Sequence, residues 1–329
     1  MIDTIELSGE TGKFRSREVE YVSGPFDQIV KRIPEFELAD FQLGEAGAPN
    51  PNYKTVVRKP LRPHEVAIPV GIVSPSYALV QHREVAALCK DALEQGQLSL
   101  EGLKCDLGLT PLGEYMVFRA YLPDDTGFTA KDGMRTSLRL ECINSVDGSH
   151  RLVMFYSWLR LVCLNGMMVR DTMMEVKEVH DHRLDLERVT MAIKSGVGRA
   201  VKDIKQLQQW DNELFSYERF RTWVDQKLAK EWGKKAASRV YTIAMSGRDS
   251  EWLDPFEQAP PTERKVRMLA RVPGAKIQSE SLYDVMQALT FVATQRTNVE
   301  ERLEWQANVP KLMADLRKHT MTGQRWGSH

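Results

Sequence analysis

The chain has 329 residues, 42% hydrophobic and 27% charged, the balance of a globular protein that buries a substantial core. Its 45 Lys and Arg offset 45 Asp and Glu, so it lacks the bulk positive charge of a dedicated duplex-DNA binder, and any anion-binding role must come from local charge. Residues 1–6 carry no basic or apolar signal region, and no run of about 18 apolar residues occurs, which points to a cytoplasmic protein without a membrane span.

Residues 1–50 hold ten acidic side chains against five basic ones and end in the loop-forming run Gly44-Glu45-Ala46-Gly47-Ala48-Pro49-Asn50-Pro51-Asn52, as an acidic arm or edge element would. Residues 66–73 form a short β-type run. From 82 to 96 the residues Val85, Leu88, Cys89 and Ala92 recur at helical spacing and Gly96 closes the segment. Between 109 and 170 the period becomes two. Met116, Phe118 and Ala120 alternate with Val117, Arg119 and Tyr121, and Leu138, Leu140 and Cys142 alternate with Arg139 and Glu141, which reads as half-exposed strands. Turns are expected near 124–134, at Asp147-Gly148 and at Asn165-Gly166, since glycine tolerates positive φ. A meander of antiparallel strands follows.

After residue 184, Leu186, Val189, Ile193, Val197, Ala200, Ile204 and Leu207 describe one long amphipathic helix, weakened locally by Gly196 and Gly198. Further helices are expected over 220–232, 282–293 and 299–316, with Ser279 or Ser281 capping the second of these, and a proline-interrupted link over 252–261. The predicted class is α+β: a central antiparallel β-meander packed against a long helix, with a mainly helical C-terminal third. The division is an acidic N-terminal arm (1–52), a β-rich core (53–182) and a helical region packed on it (183–329).

Cys89, Cys105, Cys142 and Cys163 are widely spaced in apolar contexts and read as reduced core residues. Arg160 is the most informative single residue, because the run 152–168 around it is almost entirely apolar or aromatic. A guanidinium there either pairs with a carboxylate such as Asp147, Asp171 or Glu141, or opens with Asn165 onto a phosphate or nucleobase. Residues 183–235 carry twelve basic against eight acidic side chains. Lys194, Arg199, Lys202 and Lys205 fall close together there, and Trp210, Phe215, Tyr217, Phe220, Trp223 and Trp232 follow. Cations beside aromatic platforms suit single-stranded nucleic acid, and a solvated helix face above an aromatic core explains the same pattern. Val179-His180-Asp181-His182 puts two imidazoles at i and i+2, half a metal site at most. No nucleophile elbow, P-loop, HExxH or paired-carboxylate motif is present, so neither a catalytic residue, a metal nor a cofactor is expected.

Four segments carry a family resemblance: Gly71-Ile72-Val73-Ser74-Pro75-Ser76-Tyr77-Ala78-Leu79-Val80, Asn144-Ser145-Val146-Asp147-Gly148-Ser149, Trp158-Leu159-Arg160-Leu161-Val162-Cys163-Leu164-Asn165-Gly166-Met167 and Ser281-Leu282-Tyr283-Asp284-Val285-Met286-Gln287-Ala288-Leu289-Thr290. In this order the chain resembles a prokaryotic family of phage/plasmid-like proteins, a domain of unknown function. That family has a histidine before its Asp-Gly-Ser turn, where this chain has Val146, and a polar residue where it has Leu164. The resemblance implies a setting in prophages, plasmids and integrative elements. The expected function is a mobile-element protein that binds or anneals single-stranded DNA as a homo-oligomer, through Arg160, Asn165, Lys194, Arg199, Lys202 and Lys205. The alternative is a protein-binding antagonist of a host defence or restriction system, acting through the acidic arm.

Overall fold

The computed structural model describes residues 6–44, 47–95, 103–122, 127–160, 165–167, 176–178 and 186–321. In chain order the first elements are β1 (Glu6–Phe14), β2 (Arg17–Pro25), α1 (Phe26–Val30), β3 (Phe36–Asp40), β4 (Lys54–Arg58), β5 (Ile68–Val73) and α2 (His82–Gln95). The meander follows as β6 (Lys104–Leu109), β7 (Tyr115–Tyr121), β8 (Phe128–Thr129), β9 (Arg135–Ser145), β10 (Leu152–Arg160), β11 (Asn165–Met167) and β12 (Val176–Glu178). The remainder comprises α3 (Leu186–Asn212), α4 (Tyr217–Trp223), a π-helical turn Val224–Leu228, α5 (Ala229–Trp232), α6 (Lys234–Ser246), β13 (Arg248–Trp252), β14 (Val266–Arg271), α7 (Leu282–Thr294) and α8 (Val299–Met321).

The protein is α+β, as its periodicity predicts. A curled antiparallel sheet of nine strands has the order β1-β2-β6-β7-β9-β10-β11, with β8 on β9 and β12 on β10. Strands β3, β4 and β5 form a separate three-stranded sheet, and β13 and β14 a two-stranded ribbon. The Asp147-Gly148 turn between β9 and β10 forms as expected, with Gly148 at φ 73°. Asn165-Gly166 does not form a turn. Asn165 pairs with Arg160 and Gly166 with Leu159, so these residues are the strand β11 itself.

One face of the large sheet, built from Met116, Phe118, Leu140, Cys142, Met154, Tyr156 and Trp158, joins the main core with α2, α3 and α7. Each of these large apolar side chains contributes about 1.5–3 kcal/mol on full burial. The 27-residue helix α3 reaches this face through Gly196, whose absent Cβ leaves room for the Tyr156 ring. Helix α7 is buried almost all round. It starts in a full capping box, in which Ser281 accepts from the Asp284 amide and the Asp284 carboxylate accepts from the Ser281 amide. Cys89, Cys105 and Cys142 are buried free thiols, and Cys163 lies outside the described residues.

The opposite face is covered too. Val299 and Leu303 of α8 pack over Phe14, Tyr21, Tyr115, Val117, Ile143 and Phe155. The strands β7 and β9 are therefore not half-exposed, and their alternating charged residues are buried. Period two in a sequence records two chemically different faces; whether the polar one meets solvent depends on what else packs there. Helix α6 and the β13–β14 ribbon also go beyond the expected elements. Helix α6 buries small residues, Ala236, Ala237 and Ala244, whose apolar periodicity is weak, and the ribbon flanks the prolines that mark a link.

Candidate nucleic-acid interface

The register of β10 and β11 places Arg160 directly opposite Asn165 on one side and Thr136 on the other. Two of the carboxylates considered for Arg160 are engaged elsewhere: Glu141 with Arg119 and Arg139, and Asp147 with Arg17 at 3.6 Å. Asp171 lies outside the described residues, as do His180, Asp181 and His182 and the side chains of Arg160, Asn165, Lys194, Arg199 and Lys202. Lys194, Arg199, Lys202 and Lys205 share the single helix α3, and Lys205 is exposed. Of the aromatic residues that follow, Tyr217 is 40% exposed and Phe215 half-buried, but the other four are not platforms. Trp210, Phe220, Trp223 and Trp232 are buried, with Trp232 stacked on Trp305 and Trp223 donating to Asp315, because α4 and α5 pack against α6 and α8.

The segments that carry the resemblance pack on one another. Asn144 donates through Nδ2 to the Val80 carbonyl (3.1 Å) and to Nδ1 of the buried His82 (2.9 Å), whose Nε2 then donates to the Gly113 carbonyl (3.0 Å). Tyr77 donates to the Ser145 carbonyl, and a Cβ at Gly71 would stand 2.6 Å from that of Asp147. Val146 is buried in an apolar cluster with Phe36, Val56 and Val73. In the later segments, Tyr283 of α7 bonds Thr136 of β9 at 2.9 Å and meets Phe128, which meets Trp158. These motifs hold strands, turn and helices together.

A second polar constellation lies beneath α8 and escapes sequence reading. Arg119, Arg139 and Glu141 are 4%, 4% and 2% exposed, so this cluster is internal. Glu141 accepts from Arg119 Nε (3.0 Å), from Arg139 and from Ser157 Oγ (3.1 Å). Asp106 accepts from Ser23 (2.6 Å) and Tyr121 and lies 4.0 Å from Arg119, while Arg302 of α8 donates to Tyr21 at 3.0 Å. Burial by itself would raise the Glu141 pKa, but Arg139, Arg119 and Arg302 outweigh it and hold the carboxyl below its usual range. The signal was present in the alternation of Arg119 on β7 and of Arg139 and Glu141 on β9, but only the cover by α8 makes their shared sheet face a core. Its groups serve one another, which is the chemistry of a structural network.

The surface of the ribbon differs. Residues 264–276 hold Arg264, Lys265, Arg267, Arg271 and Lys276 without one acidic residue, and Lys265, Arg267 and Arg271 are exposed. Arg248 on β13 stands opposite Arg271 on β14 in register, a like-charge pair that costs stability. Phe256, at 86% the most exposed aromatic side chain of the neighbouring loop, lies between the strands in sequence, with Leu253 and Met268 also exposed. Behind the ribbon, against α6, is a cleft of about 510 Å³ lined by Lys235, Arg239, Asp249, Ser250, Trp252 and Leu269, among others. Arg264 stacks on Trp252 with its guanidinium carbon 4.0 Å from the ring centre. Among the described residues, no helix is long and apolar enough to cross a membrane.

Fold and surface together define a mixed α+β protein, built on a curled antiparallel sheet whose motif residues are scaffold, with a small β-ribbon on which Arg248 and Arg271 face each other. The chain belongs to the family of the domain of unknown function DUF932, whose model matches residues 69–304. That stretch runs from β5 into α8 and so includes the meander, α3, the cleft and the ribbon. No curated protein and no solved structure matches the chain.

Proposed function

We propose that the protein binds single-stranded nucleic acid, and that it serves mobile genetic elements in doing so, as its family resemblance implies. The observation that carries this reading is β14 with its flanks: five basic residues in 264–276 with no acidic one, of which Lys265 and Arg271 are exposed and form no ion pair among the described residues, and Arg248 facing Arg271 across two strands. Folding alone gains nothing from opposing two guanidinium groups, whereas a phosphate backbone neutralises both. Phe256 and Met268 add exposed apolar surface on which unpaired bases stack. The exposed Lys205 on α3 adds a further cation, with Lys194, Arg199 and Lys202 on the same helix and the Arg160–Asn165 pair at the sheet end as further contacts.

The test is fluorescence anisotropy of a labelled single-stranded oligodeoxynucleotide at increasing salt. Wild-type protein binds, and affinity falls with salt by a log–log slope of about 0.7 per phosphate neutralised. Replacing Lys265, Arg267 and Arg271 with Ala flattens that slope by about 2. A companion variant with Ala at Lys194, Arg199, Lys202 and Lys205 reports the share of α3. Absence of binding at low salt, or equal affinity for wild type and both variants, refutes the reading. Light scattering with and without the oligonucleotide reads homo-oligomer formation in the same samples.

A further inference from the structure

The cleft between α6 and β13 has the volume of a small-molecule site, and its polar lining is unbalanced in a telling way. Its two carboxylates are matched by cations: Asp249 takes both Arg239 nitrogens at 2.8 and 2.6 Å, and Glu251 pairs with Arg267. Lys235 forms no ion pair among the described residues; its ammonium group is exposed and stands 5.8 Å from the Trp252 ring centre. Two further groups of cleft-lining residues are buried without a hydrogen-bond partner: Ser250 Oγ and Trp252 Nε1. Ser250 is only 2% exposed, and it shares the α6-facing side of β13 with Trp252. A serine hydroxyl can donate and an indole N–H only donates, and leaving such buried groups unpaired costs about 1–3 kcal/mol each. A ligand that brings acceptor oxygens satisfies both, and negative charge on it answers Lys235.

We infer that this cleft is a phosphate-binding subsite, in which Lys235 supplies the charge and Ser250 and Trp252 the hydrogen bonds. The inference rests on the nucleic-acid reading in one respect: the phosphate belongs to the strand that crosses the adjacent ribbon. The same chemistry would accept a free phosphate-bearing nucleotide, so the two sources are separated by experiment.

The full-length chain is titrated with a labelled single-stranded oligodeoxynucleotide by anisotropy, and with a nucleoside monophosphate and inorganic phosphate by calorimetry, for wild type, Lys235→Glu and Ser250→Ala. Circular dichroism verifies that each variant folds, and the exposed Lys235 site makes that variant structurally benign. Lys235→Glu is expected to weaken oligonucleotide binding about tenfold and Ser250→Ala about threefold, the scale of one lost charge-assisted and one lost neutral hydrogen bond. Oligonucleotide binding unchanged in both variants overturns the subsite while leaving the nucleic-acid reading standing. Monophosphate binding that depends on Lys235, with no oligonucleotide binding by wild type, upholds the subsite for a free nucleotide and overturns its link to a strand. Failure of every phosphate probe overturns it outright.

Discussion

Glu141→Gln removes one negative charge from a position that three guanidinium groups surround. The carboxylate is 2% exposed and accepts hydrogen bonds from Arg119, Arg139 and Ser157, with Arg302 acting on it through space. Glutamine keeps the volume but offers a single acceptor oxygen and turns an NH2 group toward donors. At least one buried N–H then loses its partner, at about 1–3 kcal/mol, while Arg119 keeps Asp106 at 4.0 Å. Removing one partner of a buried ionic network costs about 3–5 kcal/mol, and that range is expected here. Urea unfolding followed by circular dichroism measures it, and Tm should fall by roughly 4–7 °C. The pH dependence has a definite sign. Because the folded pKa of Glu141 lies below its ordinary 4.5, its stabilisation is fully present above that value and is lost as pH falls through the folded pKa. The variant should lack this part of the acid sensitivity. Adding Arg139→Met should restore at least about 1 kcal/mol of the loss, since it removes a buried cation that no longer faces the Glu141 carboxylate. A Glu141→Gln protein within about 1 kcal/mol of wild type at neutral pH would refute the network's role.

Two glycines of α3 should respond in opposite directions. Gly196→Ala places a methyl group into the Tyr156 ring and should destabilise by about 1–3 kcal/mol, while Gly198→Ala meets nothing within 4 Å and should stabilise by about 0.5–1 kcal/mol; thermal unfolding of the pair checks both. Gly71→Ala sets a Cβ 2.6 Å from Asp147 Cβ and 2.8 Å from its Cα, so backbone must shift, and a loss of about 1–3 kcal/mol in chemical denaturation is expected. Ser281→Ala breaks the capping box of α7 and should cost about 1 kcal/mol, read in the same assay, with Ser281→Asp retaining most of the stability.

Several elements were legible in the sequence because their causes are local. Alternation at 116–121 and 138–142 places β7 and β9, Asp147-Gly148 places the turn, spacing from Leu186 to Leu207 places α3, and Ser281 caps α7. The Asn165-Gly166 pair misled for a reason that is also local: its turn preference is real, but β10 supplies a partner strand and pairing prevails. The candidate site was less legible. Trp210, Phe220, Trp223 and Trp232 carry the same letters whether they stack on bases or on one another, and only helix packing assigns them to the core.

By itself the sequence determined the mixed α+β class, the order of the meander and the positions of its long helix and capped helix, since periodicity, glycine φ and capping act over a few residues. Only the tertiary structure decided which polar residues are inside. Arg119, Arg139 and Glu141 alternate as solvent-facing residues do, yet α8 arrives from more than 150 positions along the chain to cover them. The same long-range packing left Arg248 and Arg271 facing each other on the ribbon, where no buried carboxylate answers them. Whether a charge is scaffold or contact is settled by what packs over it, and that is a property of the folded chain.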